Sequence, residues 1–102
     1  MKSKILVVDD DRPVLVVTSE ILKRAEYDVV AVMTVAEAIG CLEREKFQLV
    51  ISDYRLADES GEDVVLAARQ RQPETPICIL TGNSHEMPAW LSDGVSVARM
   101  LS

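Results

Sequence analysis

The chain has 102 residues, of which 48% are apolar and 27% are charged, and its formal net charge is −6. This length fits one domain with one modest hydrophobic core, and the apolar content is too high for a disordered chain. The negative charge argues against nucleic-acid binding, because phosphate contacts need clustered lysine and arginine. The sequence has no apolar run of about 18 residues and no signal peptide, so we expect no membrane span and a cytoplasmic location.

Four apolar runs that are rich in valine and isoleucine predict the strands of a sheet. They cover residues 5–8, 29–32, 49–51 and 77–80, and a fifth, weaker run covers residues 95–102. Their apolar residues are consecutive and do not alternate with polar ones. This pattern is typical of parallel strands that are covered on both faces.

Apolar residues at helical spacing fill the segments between these runs. A first helix is predicted over residues 13–25, and its apolar face consists of Val14, Val17, Ile21 and Leu22. A second begins at Thr34, whose hydroxyl and the Glu37 carboxylate predict a capping box. A third covers residues 60–72, and a short fourth covers residues 87–92.

Strands that alternate with helices along the whole chain predict a doubly wound α/β fold with a parallel sheet. Helices then cover both faces of this sheet, because each crossover between parallel strands is right-handed. No internal repeat or linker suggests a second domain.

Polar residues follow three of the predicted strands. Asp9 and Asp10 follow the first strand, Asp53 follows the third and Thr81 follows the fourth. Parallel strands end at the same edge of a sheet, so these side chains would lie close together if the strand order is 2-1-3-4-5. Carboxylates about 4 Å apart repel by about 4 kcal/mol at an effective dielectric constant of ~20. A divalent cation with oxygen ligands, Mg²⁺ or Mn²⁺, would relieve that repulsion.

The two cysteines, Cys41 and Cys78, both lie within apolar periodic segments. They lack the C-x-x-C spacing of zinc or redox sites. We therefore expect both to be buried, reduced thiols that behave as small apolar residues.

Three segments of the sequence together resemble the receiver domain of two-component response regulators. They are ILVVDDD, FQLVISDYRL with Gly61 eight residues after Asp53, and PICILTG, and the resemblance extends over residues 3–102. It implies a flavodoxin-like fold with strand order 2-1-3-4-5. It also implies that Asp53 accepts a phosphoryl group from the phosphohistidine of a sensor histidine kinase or a phosphotransfer protein.

The same resemblance implies roles for the other site residues. Asp10 would bind Mg²⁺ directly and Asp9 would help to hold its water shell, while Asp53 and the backbone carbonyl of Arg55 would be further ligands. Thr81 would donate a hydrogen bond to the new phosphoryl oxygen, and its movement would switch an output domain or a downstream protein. Such a domain assists its own phosphorylation and dephosphorylation and is not a stand-alone turnover enzyme.

The sequence departs from the family pattern at its C-terminal end. Receiver domains have a Lys-Pro pair and a fifth helix after the last strand, whereas this sequence stops at Ser102. We therefore expect residues 1–102 to form a C-terminally incomplete receiver domain of a longer signalling protein, without the final helix. The apolar face that such a helix would cover favours a homodimer.

Two alternative functions stay open beside the phosphorylated switch. The missing lysine is consistent with a receiver-like interaction module that no longer accepts phosphate. An enzyme is disfavoured, because aspartate-based phosphatases need a second acid two residues after the nucleophile, where this sequence has Arg55. Nucleotide binding is disfavoured as well, since the sequence has no glycine-rich phosphate-binding motif.

Overall fold

The computed structural model describes residues 2–56, 59–81 and 95–99. Within this part the strands are β1 (Lys4–Val8), β2 (Asp28–Val32), β3 (Leu49–Asp53), β4 (Arg55–Leu56), β5 (Glu59–Ser60), β6 (Ile77–Thr81) and β7 (Val95–Arg99). The helices are α1 (Arg12–Arg24), α2 (Val35–Arg44) and α3 (Gly61–Arg71). Five parallel strands form the main sheet in the order β2-β1-β3-β6-β7, while β4 and β5 form a separate antiparallel pair. The predicted doubly wound fold and its strand order 2-1-3-4-5 are confirmed.

The register of the sheet brings the C-terminal ends of its strands to one edge. At the end of β1, Val8 pairs with Val32 on one side and with Ser52 on the other. Asp53 at the end of β3 pairs with Leu80 near the end of β6. The residues at the ends of the neighbouring strands β1 and β3 therefore lie side by side at this edge.

The opposite edge of the sheet is held by polar contacts between the helices and the strand beginnings. The ammonium group of Lys4 forms an ion pair with the Glu45 carboxylate, just after α2. The backbone N–H of Lys4 also donates to the side-chain oxygen of Gln48. These contacts fix the start of β1 to the segment that leads into β3.

The larger part of the core lies between the sheet and helices α2 and α3. Its largest fully buried side chains are Phe47, Leu6, Leu56 and Ile79. Small residues such as Ala38 and Ala68 are also fully buried, which lets the two helices pack closely against the strands. Each buried large aliphatic side chain of this kind contributes roughly 1.5–3 kcal/mol of transfer free energy.

Helix α1 covers the other face of the sheet, and the predicted apolar face of this helix is partly wrong. Leu15 and Ser19 are buried, whereas Val17 and Ile21 are 59% and 63% exposed. The buried positions follow one another at intervals of about one helical turn, and one of them carries a hydroxyl group. Counting apolar residues alone missed Ser19 and so shifted the assigned face.

Side chains at the three helix starts satisfy backbone N–H groups. The Asp11 carboxylate accepts from the N–H of Val14, and the Thr34 hydroxyl accepts from the N–H of Glu37. The Glu37 carboxylate accepts from the N–H of Met33 and from the Thr34 hydroxyl, one residue earlier than the predicted capping box requires. The predicted fourth helix, residues 87–92, lies outside the described residues.

The described residues also bear on two smaller predictions. Cys41 is a buried free thiol as expected, but Cys78 is only half-buried. Cys78 lies on β6 far from α1 in the sheet order, so this helix does not cover it fully. None of the helices in the described part has the length and apolar composition that a membrane crossing requires.

Candidate functional site

Three carboxylates converge at the C-terminal edge of the sheet. Asp9 and Asp10 directly follow β1, and Asp53 is the last residue of β3, the neighbouring strand. One carboxylate oxygen from each residue lies within 4.8 Å of the others. Adjacent parallel strands cause this arrangement, because their ends are only about 5 Å apart in the hydrogen-bonding direction.

The three carboxylates have different environments. Asp9 is buried with 3% exposure, whereas Asp10 and Asp53 are only partly buried. Burial raises the pKa of Asp9, and the negative charges of Asp10 and Asp11 raise it further. The backbone N–H of Asp11 donates a hydrogen bond to Asp9 Oδ1 at 2.9 Å, and this bond lowers the pKa of Asp9. Burial and the neighbouring negative charges thus favour the neutral form of Asp9, and a bound cation would act in the opposite direction.

The arrangement fits a hard divalent cation. At about 4.8 Å, two ionised carboxylates repel by ~3 kcal/mol at an effective dielectric constant of ~20, and three repel more. Mg²⁺ prefers oxygen ligands and keeps several of its waters, so a few carboxylates and a backbone carbonyl are a sufficient protein contribution. The described cluster has only oxygen donors and has no histidine or cysteine, which zinc would prefer.

The backbone around Asp53 is fixed by hydrogen bonds from three directions. The N–H of Tyr54 donates to the carbonyl oxygen of Leu80 at 2.9 Å, and the Ser52 hydroxyl donates to the carbonyl oxygen of Asp53 at 3.0 Å. The N–H of Gly61, the first residue of α3, donates to the carbonyl oxygen of Tyr54 at 2.9 Å. Asp53 therefore extends from a rigid strand end and not from a loose loop.

The other two residues expected at the site are placed by their backbones only. Thr81 ends β6 next to β3, at the same edge as the carboxylates, and the structure describes its backbone but not its side chain. Arg55 lies in β4, two residues after Asp53, and its side chain is likewise outside the described part. The strand ends bring both backbones to the carboxylate edge of the sheet.

Sequence reasoning missed the hairpin that follows Asp53. Arg55 pairs with Ser60, and Leu56 pairs with Glu59, so that the chain turns back before α3. Leu56 is 1% exposed and anchors this hairpin in the core. The Glu59 carboxylate accepts from the N–H of Val35 at the start of α2. Two-residue strands have no periodicity to detect, and a single leucine between Arg55 and Ala57 gives no pattern that would identify a strand.

This chain is similar in sequence and in fold to proteins of one known family. A family model described as a response regulator receiver domain matches residues 5–96. The response regulator protein PilR of Pseudomonas aeruginosa is 38% identical over 80 residues, which are 78% of this chain and 18% of that protein. The chain thus spans less than a fifth of the length of this curated relative.

Solved structures agree with the family match. A CheY-like response regulator receiver domain protein from Methanospirillum hungatei is 31% identical, with a TM-score of 0.78 over 82% of this chain and 67% of that one. A response regulator from Burkholderia pseudomallei is 28% identical, with a TM-score of 0.76 over 81% of this chain and 49% of that one, and it was solved with a phosphorylated aspartic acid, a calcium ion and citrate. By its sequence match, its strand order and its structural neighbours, the chain belongs to the response regulator receiver domain family.

Proposed function

We propose that this chain is a phosphorylation-controlled switch, in which Asp53 accepts a phosphoryl group in the presence of Mg²⁺. The observation that carries the proposal is the convergence of the Asp9, Asp10 and Asp53 carboxylates within 4.8 Å at the end of adjacent strands. Repulsion between the carboxylates destabilises the folded protein in the absence of a cation. A bound cation would neutralise the carboxylates and the incoming phosphoryl group.

The chemistry follows from the charges at the site. A carboxylate oxygen of Asp53 would attack the phosphorus of a phosphohistidine, the phosphorus–nitrogen bond would break, and the imidazole would leave with a proton from solvent. Asp10, Asp53 and the Arg55 carbonyl would hold Mg²⁺, and Asp9 would hold its water shell. Phosphoryl transfer through a loose transition state needs positioning and charge neutralisation above all, which this ligand set supplies.

The relatives support this assignment without carrying it alone. The structural neighbour from Burkholderia pseudomallei has a phosphorylated aspartic acid and a divalent ion. In this chain, Asp53 is the partly buried acid at the end of the central strand β3, which leaves it accessible to a donor. Asp9 is buried and fits a supporting role better than an attacking one.

The output of the switch would begin at Thr81. Its backbone ends β6 beside β3, and the proposed role of its hydroxyl is to donate to a phosphoryl oxygen on Asp53. The local movement would change the surface that an output domain or a downstream protein recognises. The phosphodonor would be a sensor histidine kinase or a phosphotransfer protein in the cytoplasm, and the domain would promote its own phosphorylation and dephosphorylation without turnover of a separate substrate.

The experiment is incubation of the protein with Mg²⁺ and acetyl phosphate, followed by intact-mass measurement. We expect the wild type to gain the mass of one phosphoryl group and D53N to gain none. The matched control is D28N, because Asp28 is an exposed aspartate at the opposite end of the sheet. Labelling of D53N at the wild-type rate would show that another residue is the acceptor.

The same experiment decides between the switch and the interaction module. If neither acetyl phosphate nor beryllofluoride modifies or binds the wild type at millimolar Mg²⁺, the chain is a receiver-like module that no longer accepts phosphate. Homodimerisation stays a prediction from the sequence. The contact would form on the α1 side of the sheet, where Val16, Val17 and Ile21 are among the exposed apolar side chains, and sedimentation as a strict monomer at high concentration would contradict it.

A further inference from the structure

The first residue of α3 lies directly against the backbone of Asp53. A Cβ atom added at Gly61 would be 2.5 Å from the carbonyl oxygen of Asp53 and 3.2 Å from that of Tyr54. Real Cβ atoms keep at least 3.0 Å from such neighbours. Gly61 does not have the left-handed backbone conformation that favours glycine, so the requirement at this position is space and not φ.

This close approach completes the support of the Asp53 backbone. The Asp53 carbonyl already accepts from the Ser52 hydroxyl on one side, and the next N–H, that of Tyr54, is bonded to Leu80. With the N–H of Gly61 bonded to the Tyr54 carbonyl, hydrogen bonds hold the described backbone on both sides of the contact between Asp53 and Gly61. A Cβ at Gly61 must therefore push the Asp53 peptide or the start of α3 away by about half an ångström, which is the tolerance of a well-positioned reactive group.

We propose that Gly61 is a positioning residue for phosphoryl transfer to Asp53. The absence of a side chain lets α3 begin against the strand end, and this contact fixes the direction of the Asp53 carboxylate and of the Arg55 carbonyl that follows it. The inference rests on the proposed function of Asp53 and adds a residue that touches neither the metal ion nor the phosphoryl group.

The test compares G61A with G40A, which makes the same chemical change elsewhere. A Cβ at Gly40, inside α2, would meet the end of the flexible Arg44 side chain at 3.2 Å, and this side chain can move aside. We expect G61A to bind Mg²⁺ about tenfold more weakly in calorimetry and to label with acetyl phosphate at least about tenfold more slowly at saturating Mg²⁺. G40A should match the wild type in both measurements and melt at a higher temperature, since alanine is favoured over glycine inside helices.

A second control separates positioning from helix stability. The Ser60 hydroxyl accepts from the N–H of Glu62, so S60A removes the N-cap of α3 without adding an atom near Asp53. We expect S60A to lower the melting temperature of the metal-free protein but to keep the wild-type Mg²⁺ affinity. Equal losses of Mg²⁺ affinity in S60A and G61A would overturn the proposal, because a weakened helix start would then explain both.

The remaining outcomes are equally decisive. Wild-type labelling by G61A would overturn the role of Gly61 and leave the proposed function intact. Absence of Mg²⁺ binding and labelling in the wild type would instead overturn the proposed function itself. If G61A does not fold, the variant is measured in the G40A background, and failure to fold there would overturn the claim that the displacement is local.

Discussion

The side-chain nitrogen of Gln72, just after α3, donates to the carbonyl oxygen of Leu42 near the end of α2 at 3.0 Å. The same amide nitrogen donates to the Glu45 carbonyl at 2.6 Å, while its oxygen accepts from the N–H of Phe47 at 2.9 Å. One side chain therefore satisfies backbone groups at the end of α2 and at the approach to β3. Leu42 lies in the last turn of α2, where carbonyls lack intrahelical partners, and Glu45 and Phe47 lie between α2 and β3.

Replacement of this side chain should destabilise the domain strongly. We expect Q72A to lower the free energy of unfolding by about 2–3 kcal/mol, because several partly buried backbone groups lose their partners at once. The measurement is urea denaturation, with the slope m compared to confirm an unchanged native state. The control is Q70A, which truncates an exposed glutamine two residues earlier in the chain. An equal effect of both variants would contradict the bridging role.

Ser19 presents the opposite case, a buried polar group without a partner. Ser19 is 6% exposed and lies on the side of α1 that faces the sheet. Among the described residues, its hydroxyl is the buried side-chain oxygen that has no hydrogen-bond partner. We expect S19A to raise the free energy of unfolding by about 1–2 kcal/mol, since the desolvation cost of the hydroxyl disappears. Helix propensity alone supplies about 0.5 kcal/mol, so the control is E20A at the adjacent exposed position. A gain no larger than that of E20A would mean that the hydroxyl costs nothing.

Glu26 ends the turn after α1 in an unfavourable backbone conformation. Its φ is 71°, and the N–H groups of Glu26 and Tyr27 donate to the carbonyls of Lys23 and Leu22. This left-handed position usually carries glycine, because a Cβ atom is strained there. We expect E26G to raise the free energy of unfolding by about 1 kcal/mol. Thermal melting checks the prediction, and E26A should stay close to the wild type because alanine keeps the Cβ.

Asp9 should make the stability of the metal-free protein fall as the pH rises. Its pKa is raised in the folded state above the ordinary value of 3.8. At a pH between the unfolded pKa and the raised folded pKa, the folded protein binds more protons than the unfolded chain. The stability that Asp9 contributes is therefore fully present below the unfolded pKa and is lost as the pH rises through the folded pKa. We expect D9N to remove this part of the pH dependence, as measured by urea denaturation from acidic to neutral pH.

Addition of Mg²⁺ should offset the loss of stability that the ionised Asp9 carboxylate causes in the metal-free protein. A ligand at one hundred times its dissociation constant stabilises the folded state by about 2.7 kcal/mol, which corresponds to a clear rise in melting temperature. At neutral pH, Mg²⁺ should therefore raise the melting temperature of the wild type and raise that of D9N much less. The exposed variant D28N should respond like the wild type, and a full response of D9N would show that Asp9 does not support the ion.

The sequence pattern was sufficient to predict the parallel sheet, and the strand order that the family resemblance implies was needed to predict the meeting of the three carboxylates. Continuous apolar runs indicate parallel strands, and the order that places β3 beside β1 brings Asp9, Asp10 and Asp53 together at one edge. These features depend on patterns that extend over many residues. Their prediction therefore stays correct even when single residues are misassigned.

The contacts that support Asp53 could not be predicted in the same way. The approach of Gly61 to the Asp53 carbonyl depends on how α3 packs against the end of β3, and a glycine letter does not reveal which atom it faces. Likewise, Ser19 was hidden from a count of apolar residues although it lies on the buried face of α1. Tertiary packing decides both cases.

The two edges of the sheet are occupied by different kinds of polar group. Carboxylates that repel one another lie where the strands end, whereas the Lys4–Glu45 ion pair lies where the first strand begins. The full length of the strands separates these groups, so substitutions at the Lys4 edge should alter thermal tolerance and leave the reactive edge unchanged. Stability and ligand affinity can therefore be varied separately, one from each edge of the sheet.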